Sequence, residues 1–301
     1  MYSGILVIDK PNGWTSHDVV AKLRGVFKQK RVGHGGTLDP MATGVLPVFI
    51  GRATRAAEFC ENSEKEYISG IRFGITTDTQ DITGNVLTQK KITVSVNELI
   101  AELAEVLPQF RGEIKQIPPM YSAVKQGGKK LYELARKGIE VERKVRDVFI
   151  STLELLTEAD YPEREFAELN LRVVCSKGTY IRTLCHDIGS ALGCGATLSS
   201  LRRTRAGAYG LESAYTLDSV ISANTENNLC DLLLPIDSIF PEMPSINLSE
   251  DDTRKVKNGV RIKFPGDESG KFKVYAPDGE FLLLGEVRCG ELRSIKSFYD
   301  V

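Results

Sequence analysis

Two strand-like runs lie close together near the middle of the chain, and they constrain its fold more than any other feature. They cover 147–159 and 165–176, and both are rich in Val, Ile, Leu and Phe, residue types that favour strands. The Tyr-Pro pair at 161–162 lies between the runs, and proline is typical of turns. The sequence therefore predicts two adjacent antiparallel strands joined by a turn.

Further strands and helices are predicted on both sides of this pair. Short apolar or alternating runs predict strands over 4–11, 45–51, 65–74 and 199–210, the last with exposed arginines. Helical spacing of apolar residues predicts helices over 18–27, 53–62, 97–110 and 180–192. Polar residues at the helix starts predict caps at Ser16-His17-Asp18 and at Asn97.

The last part of the chain differs in character. The segment 232–244 carries three prolines, which favours a linker. After it, a short Ser-capped helix is predicted to end at Asn258-Gly259, followed by short strands between turns at 265–267, 276–279 and 288–291. These features predict a small β-rich module.

Composition excludes several classes of protein. A chain of 301 residues with 42% hydrophobic and 26% charged residues is typical of a globular protein with two domains. No apolar run approaches the roughly 18 residues of a membrane span, and the N-terminus lacks the basic region of a secretion signal. The six cysteines form no CxxC pair and only three histidines are present. We therefore expect buried, reduced thiols in a cytoplasmic protein, with no zinc site and no disulfide framework.

Basic residues are concentrated in three segments. Residues 1–60, 111–150 and 171–206 carry net charges of +4, +5 and +5, whereas the whole chain carries −1. If folding brings these segments onto one face, that face attracts a polyanion such as a nucleic acid. The alternative is that the charges are ordinary solvated surface.

The glycine-rich stretch 31–44 is predicted to be a long loop with a functional role. It lacks the GxGxxG pattern, because Leu38 stands where the last glycine would be, and the chain contains no GxxxxGK[ST], HExxH or GxSxG motif. Asp39 remains as a candidate catalytic carboxylate, since Pro40 restricts its backbone to an extended conformation. The alternative role for Asp39 is an Asx-turn within its own loop.

The sequence 33–55, GHGGTLDPMATGVLPVFIGRATR, closely resembles the catalytic motif of the bacterial tRNA pseudouridine-55 synthases, the TruB family. Blocks at 5–20, 65–84, 117–146 and 175–189 with 198–207 resemble further motifs of that family in the same order. The resemblance implies an α+β pseudouridine synthase fold, with a central, mostly antiparallel sheet and flanking helices. It also implies a catalytic domain over 1–235 with an RNA-clasping insertion at about 111–146, and a PUA-like RNA-binding domain over 240–301.

The resemblance assigns the catalytic roles. Asp39 would be the essential carboxylate, and Arg182 would pair with it. Tyr67 would stack on the target base near its proton-transfer site. An arginine beside Asp39 would keep that carboxylate ionised and oriented.

The resemblance also implies a set of substrate-binding residues. Tyr180 and Leu201 would line the pocket, and His34 would stack within the remodelled RNA loop. Lys10, with Pro11, would support the floor of the site. Flipping a base out of a folded loop costs a few kcal/mol, and stacking side chains offset part of that cost.

The implied reaction isomerises uridine 55 of the tRNA T loop to pseudouridine. The uracil is detached at N1, rotated and rejoined through C5, so no redox change occurs and no cofactor is expected. Asp39 could attack C1′, add to C6 or remove the C2′ proton, and the sequence leaves these routes open. The expected partner is the T stem-loop of tRNA, with no membrane, no small-molecule cofactor and a monomeric enzyme.

Three other functions are weighed against this one. A related synthase could act on other stem-loops, including ribosomal or guide-directed sites. A pure RNA-binding protein would share the basic segments, but it gains nothing from a carboxylate that repels phosphate. A nucleotide hydrolase is disfavoured because the phosphate-loop patterns are absent.

Overall fold

The structure, a computed structural model, describes residues 1–156, 167–264 and 268–299. The chain divides into two compact units. The first unit comprises Met1–Asp39, Val45–Glu61 and Gly207–Val301, and the second comprises Pro40–Gly44 and Asn62–Ala206. The sequence-based domains 1–235 and 240–301 stay a prediction.

The strands of the described residues are, in chain order, β1 (Gly4–Lys10), β2 (Val32–His34), β3 (Thr43–Ile50), β4 (Lys65–Phe73), β5 (Ile75–Thr77), β6 (Val86–Gln89), β7 (Gly112–Gln116), β8 (Lys125–Gln126), β9 (Lys129–Lys130), β10 (Arg146–Leu156), β11 (Glu168–Cys175), β12 (Ala196–Ala206), β13 (Tyr209–Gly210), β14 (Ser245–Asn247), β15 (Ile262–Lys263), β16 (Gly270–Tyr275), β17 (Phe281–Arg288) and β18 (Glu291–Ser297).

The α-helices are α1 (Ser16–Val26), α2 (Ala57–Glu61), α3 (Val96–Val106), α4 (Leu131–Ala135), α5 (Ile181–Ala191), α6 (Leu217–Thr225) and α7 (Glu250–Lys257). Short 3₁₀ turns occupy Gly51–Ala56, Leu107–Phe110, Leu211–Ser213, Leu229–Leu232 and Ile236–Ile239. No helix among the described residues is long and apolar enough to cross a membrane.

The second unit is built on a sheet in the order β12-β4-β11-β10-β7, and all these neighbours are antiparallel. The predicted central pair is confirmed: β10 runs antiparallel to β11, with Leu153 opposite Val173. The Tyr-Pro turn predicted between them lies outside the described residues. Helix α5 packs against β12 and β4, because its apolar residues at helical spacing are buried.

The first unit contains β1, the antiparallel pair of β2 and β3, and α1. It also contains the predicted β-rich module, a sheet in the order β14-β16-β17-β18-β15. Alternate residues such as Val274, Leu283 and Leu292 are buried in a common core with Val256 of α7. The predicted turns at 276–279 and 288–291 connect its strands, and the turn predicted at 265–267 lies outside the described residues.

Two predicted helix caps are wrong by one or two residues. Helix α1 is capped by Thr15, whose hydroxyl accepts from Asp18 N while the Asp18 carboxylate accepts from Thr15 N. Ser95 and Glu98 form the same reciprocal pair at the start of α3, where Asn97 was predicted. Both starts follow the capping-box spacing, which satisfies two backbone donors at once.

Two further predictions are corrected by packing. Arg203 in β12 is buried, not exposed, because it lies on the same face of the sheet as the buried side chains of Leu201 and Tyr67. The proline-rich segment 232–244 is not a free linker. Leu234 pairs with Ile5 of β1 and Phe240 packs edge-to-face on Phe59, so the segment belongs to the core of the first unit.

Candidate active site

The glycine-rich loop is held by α1 and β3 within the first unit. The Gly35 N–H donates to Pro47 O, and a Cβ on Gly35 would collide with Phe49 and Cys60. His34 lies edge-to-face with His17 of α1, with ring centroids 5.5 Å apart. The loop therefore packs against the core of the first unit at His34 and Gly35, and Asp39 is half-buried.

Residues Pro40–Gly44, which directly follow Asp39 in sequence, belong to the second unit. Gly44 pairs with Arg203 of β12 and has φ of +101°. A Cβ at Gly44 would collide with the Arg203 backbone, so only glycine fits this close approach. Thr43 accepts a hydrogen bond from Arg202 Nη1 at 3.3 Å. Pro40–Gly44 is thus anchored to β12 by both backbone and side chain.

Tyr67 and Leu201 share one face of the second unit's sheet. Tyr67 lies opposite Arg203, and Leu201 lies opposite Ser69, two residues from Tyr67. Side chains two residues apart on a strand point to the same face. Tyr67 is 9% exposed and Leu201 8%. Both side chains are therefore buried on one face of β4 and β12, the two strands that α5 contacts.

Arg182 is the second residue of α5 and is only 4% exposed. Its Nη1 donates to Thr79 O at 3.0 Å, and its Nη2 donates to Tyr121 O at 2.9 Å. A cation at a helix N-terminus is disfavoured by the helix dipole. The two carbonyls offset that cost and fix the plane of the guanidinium.

Asp81, which the sequence analysis does not single out, faces the candidate site residue Arg182. Its Oδ2 lies 3.6 Å from Arg182 Nη1, and both side chains are almost fully buried. Its Oδ1 accepts from the Thr79 hydroxyl and from the N–H and hydroxyl of Thr83. The sequence does carry a pattern that indicates such a carboxylate, the Thr and Asp residues of TTDTQDITG, 76–84. Hydroxyl groups on both sides of a carboxylate favour a fixed Asx-type loop.

Tyr180, the N-cap residue of α5, is held by Gln116. The Tyr180 N–H donates to Gln116 Oε1 at 2.9 Å, and Gln116 Nε2 donates to Tyr180 O at 3.3 Å. Gln116 ends β7, directly before the block 117–146, which resembles the RNA-clasping insertion of the family. The start of that insertion is thereby joined to the start of α5.

Lys10, predicted to support the floor of the site, is fully buried at the end of β1. Its ammonium donates to Pro11 O at 2.9 Å and to Trp14 O at 2.6 Å. These bonds close the turn between β1 and α1. Lys10 therefore has a structural role in this turn, and its predicted role toward the substrate stays a prediction.

The pKa values of two thiols and one carboxylate in the second unit are shifted from their usual values. Burial raises the pKa of the Cys175 thiol to about 11 and that of Cys185 to about 12. Both thiols stay protonated at neutral pH and are poor nucleophiles. Hydrogen bonds from Arg172 lower the pKa of Glu66, the neighbour of Tyr67 on the opposite face of β4. Within the described ranges, no three His, Cys, Asp or Glu side chains are grouped to hold a metal ion.

Comparisons with known proteins agree along the chain. Residues 24–181 match the family described as TruB family pseudouridylate synthase (N terminal domain). Residues 182–241 match the tRNA pseudouridylate synthase B C-terminal domain, and residues 244–295 match the description Pseudouridine synthase II TruB, C-terminal.

Full-length relatives and solved structures extend these matches. The chain is 48% identical to the tRNA pseudouridine synthase B of Syntrophomonas wolfei, covering 94% of this chain and 93% of that protein. It is 42% identical to the protein of the same name from Azoarcus sp., covering 96% and 93%.

A crystal structure of a Cbf5-Nop10-Gar1 complex contains a similar chain, with a TM-score of 0.72 and 26% identity over 98% of this chain and 85% of that one. The predicted α+β pseudouridine synthase fold is thus confirmed. The chain belongs to the TruB family of pseudouridine synthases, isomerases that convert uridine to pseudouridine in tRNA.

Proposed function

We propose that this enzyme isomerises uridine 55 in the T loop of tRNA, with Asp39 as its catalytic carboxylate. The observation that supports the proposal most is the loop GHGGTLDP, 33–40, which resembles the family's catalytic motif and holds Asp39 on a fixed backbone. The position 55 rests on the resemblance of this motif and its neighbouring blocks.

The reaction breaks the N1–C1′ bond and forms a C5–C1′ bond. N1 of the uracil gains a proton and C5 loses one, so the product is an isomer of the substrate. Asp39 attacks C1′, adds to C6 or removes the C2′ proton, and each route needs an ionised carboxylate. Arg182 pairs with Asp39 and keeps it ionised.

The other proposed residues hold the uracil while it is detached. Tyr67 and Leu201 form apolar walls, which retain a flat base without fixing its in-plane orientation. Tyr180 completes the pocket, and His34 stacks on bases of the opened RNA loop. Residues 240–301 form the proposed PUA-like RNA-binding domain, and the enzyme acts as a cytoplasmic monomer without a cofactor.

The proposal is tested with unmodified tRNA and purified enzyme. We expect pseudouridine at position 55 after incubation without added metal or nucleotide, mapped by sequencing. A structural relative is described as an H/ACA RNP bound to a substrate RNA. Pseudouridine at a different site, or only with an added guide RNA, would instead favour the alternative of a related synthase that acts on other stem-loops.

The basic segments predict that tRNA binding weakens with salt. Several of their cations are already engaged inside the protein: Lys10 and Arg203 are buried, and Arg172 forms ion pairs with Glu66 and Glu154. The net charge therefore overstates the cations available to phosphates. We expect log K to fall linearly with log salt between about 50 and 200 mM, with a slope of about −0.7 to −0.9 per phosphate contact. A flat response in a binding titration would contradict the electrostatic face.

The insertion at about 111–146 is proposed to clasp RNA through an exposed hairpin. Lys125 and Lys129 lie on β8 and β9, on either side of the turn Gly127–Gly128, and both are exposed. We expect the double variant Lys125→Ala/Lys129→Ala to weaken T stem-loop binding and to reduce the salt slope by about 1.4–1.8, since two contacts are lost.

The matched control for the hairpin is Lys90→Ala/Lys91→Ala, which removes two cations outside the three basic segments. Affinity and salt slope are measured for both double variants and the wild type. Equal losses in the two variants would show that general charge, and not the hairpin, determines binding. Unchanged binding in the hairpin variant would exclude the clasp at these lysines.

A further inference from the structure

The first turn of α1 contacts the residue that precedes Asp39. The Leu38 N–H donates to Ser16 Oγ at 2.8 Å, and Ser16 Oγ donates to Leu38 O at 3.2 Å. A hydroxyl donates and accepts at the same time, so one side chain satisfies both polar backbone groups of Leu38. Ser16 is 1% exposed and Leu38 3%, and both hydrogen bonds are buried.

We infer that Ser16 is a positioning residue for Asp39, an inference that rests on the proposed catalytic role of that carboxylate. The Leu38 carbonyl lies in the same rigid peptide plane as the N and Cα atoms of Asp39. Holding the carbonyl therefore fixes the orientation in which the Asp39 side chain leaves the backbone. Pro40 restricts the backbone of Asp39 from the other side.

Contacts other than those of Ser16 also hold the glycine-rich loop in place. Gly35 is fixed by its bond to Pro47 O, and His34 packs on His17, the neighbour of Ser16. These contacts place the loop on the core, but they lie upstream of Leu38. The Ser16 hydroxyl, in contrast, restrains the residue directly before Asp39. Removing it leaves a buried N–H and C=O without that partner, and the peptide is then free to rotate.

The test is Ser16→Ala in the full chain, with single-turnover conversion of unmodified tRNA at saturating enzyme. A reacting group displaced by about 1 Å loses about 100-fold in rate, and we expect a loss of about 10- to 100-fold. The dissociation constant for tRNA should not change, since the proposed RNA contacts lie at exposed cations and stacking side chains. A residue with a merely structural role would not separate rate from affinity in this way.

Thr15→Ala is the matched control. It removes the Thr15 hydroxyl, which accepts from Asp18 N and donates to the Asp18 carboxylate, and it leaves the Ser16–Leu38 bonds in place. The unfolding temperatures of Ser16→Ala and Thr15→Ala are measured so that their stabilities can be compared. A similar rate loss in Thr15→Ala at similar stability would overturn the inference, because the rate would then follow the stability of α1. A wild-type rate in Ser16→Ala would overturn it directly.

Two further variants cover the cases in which Ser16→Ala does not fold or Asp39 is not the catalytic carboxylate. If Ser16→Ala does not fold, Ser16→Cys replaces it, because the thiol has a similar shape but is a weak donor and acceptor. A folded Ser16→Cys enzyme with reduced rate supports the inference, and one with a wild-type rate overturns it. Asp39→Asn is assayed in parallel. If Asp39→Asn is active, the proposed function fails; if it is inactive and Ser16→Ala has a wild-type rate, only the role of Ser16 fails.

Discussion

Asp39→Asn is expected to abolish pseudouridine formation while leaving tRNA affinity nearly unchanged. Asparagine keeps the shape and one accepting oxygen of aspartate, so the loop held by Ser16 and Gly35 should not move. It supplies neither a nucleophile nor a base at neutral pH. The single-turnover rate should fall by at least about 10²- to 10⁴-fold, the usual effect of a lost general base.

Affinity should survive because binding rests on exposed cations elsewhere. Removal of one negative charge near a polyanion can strengthen binding slightly. The measurement pairs single-turnover conversion with an independent titration of tRNA binding. Asp78→Asn is a suitable control, since Asp78 is a carboxylate whose contacts are to Asn85 in a neighbouring loop. We expect its rate to match the wild type.

Two other outcomes would change the account of Asp39. Conversion by Asp39→Asn at a rate near wild type would exclude the carboxylate from the chemical step. Loss of binding together with activity would show that Asp39 holds its own loop, as in the Asx-turn alternative. Thermal unfolding separates these cases, because a structural loss also lowers the unfolding temperature.

The sheet could be predicted because it depends on patterns that lie within single segments. The apolar runs of β10 and β11 identified the central antiparallel pair, and the helical period of 180–192 identified α5. The errors in the helix starts occur where two neighbouring polar residues could each cap the same helix. Thr15 and Ser95 cap their helices because each has an acidic residue three positions later, a spacing that the predictions overlooked.

The site could be predicted only in part, for a physical reason. Asp39 and Arg182 lie in motifs that resemble a known family, so their positions were accessible from the sequence. Ser16, Asp81 and Gln116 act on backbone groups or on another side chain across 22 to 101 positions of sequence. No local pattern encodes such contacts, and they became visible only when the fold brought the partners together.

The burial of charge was also hidden from the sequence. The three arginines of β12 look alike in LRRTR, 201–205. Only Arg203 is fully buried, although Arg202 also pairs with a residue on each side, so the difference lies in the face of the sheet on which each side chain stands. Alternation along a strand separates such neighbours, but which face is covered depends on elements that are distant in sequence.

Arg182→Lys is the second substitution with a large expected effect. Lysine keeps the charge but replaces the planar guanidinium by a single ammonium, which does not match two carbonyls in a fixed plane. Thr79 O and Tyr121 O both accept from Arg182, and at least one of them loses its partner. A buried acceptor without a partner costs about 1–3 kcal/mol, so the unfolding temperature should fall modestly.

The rate should fall more than stability suggests. In the proposed mechanism Arg182 orients Asp39, and misplaced reacting groups lose about 100-fold. Arg72→Lys is the matched control, since Arg72 donates two hydrogen bonds to Glu168 in the same unit but is partly exposed. Its rate should match the wild type. A rate loss in Arg182→Lys no larger than in Arg72→Lys would show that the guanidinium has no special role.

Combining substitutions shows how Arg182 acts. If Arg182 works only through Asp39, then adding Arg182→Lys to Asp39→Asn should cause little further loss of rate, because both act on one step. Asp81→Asn removes the charge that faces Arg182, and its effect should also shrink in the Arg182→Lys background. Fully additive losses would instead mean that Arg182 and Asp81 contribute to the fold of the second unit independently of the reaction. Single-turnover rates for the three single and two double variants, each with a measured affinity and unfolding temperature, separate these possibilities.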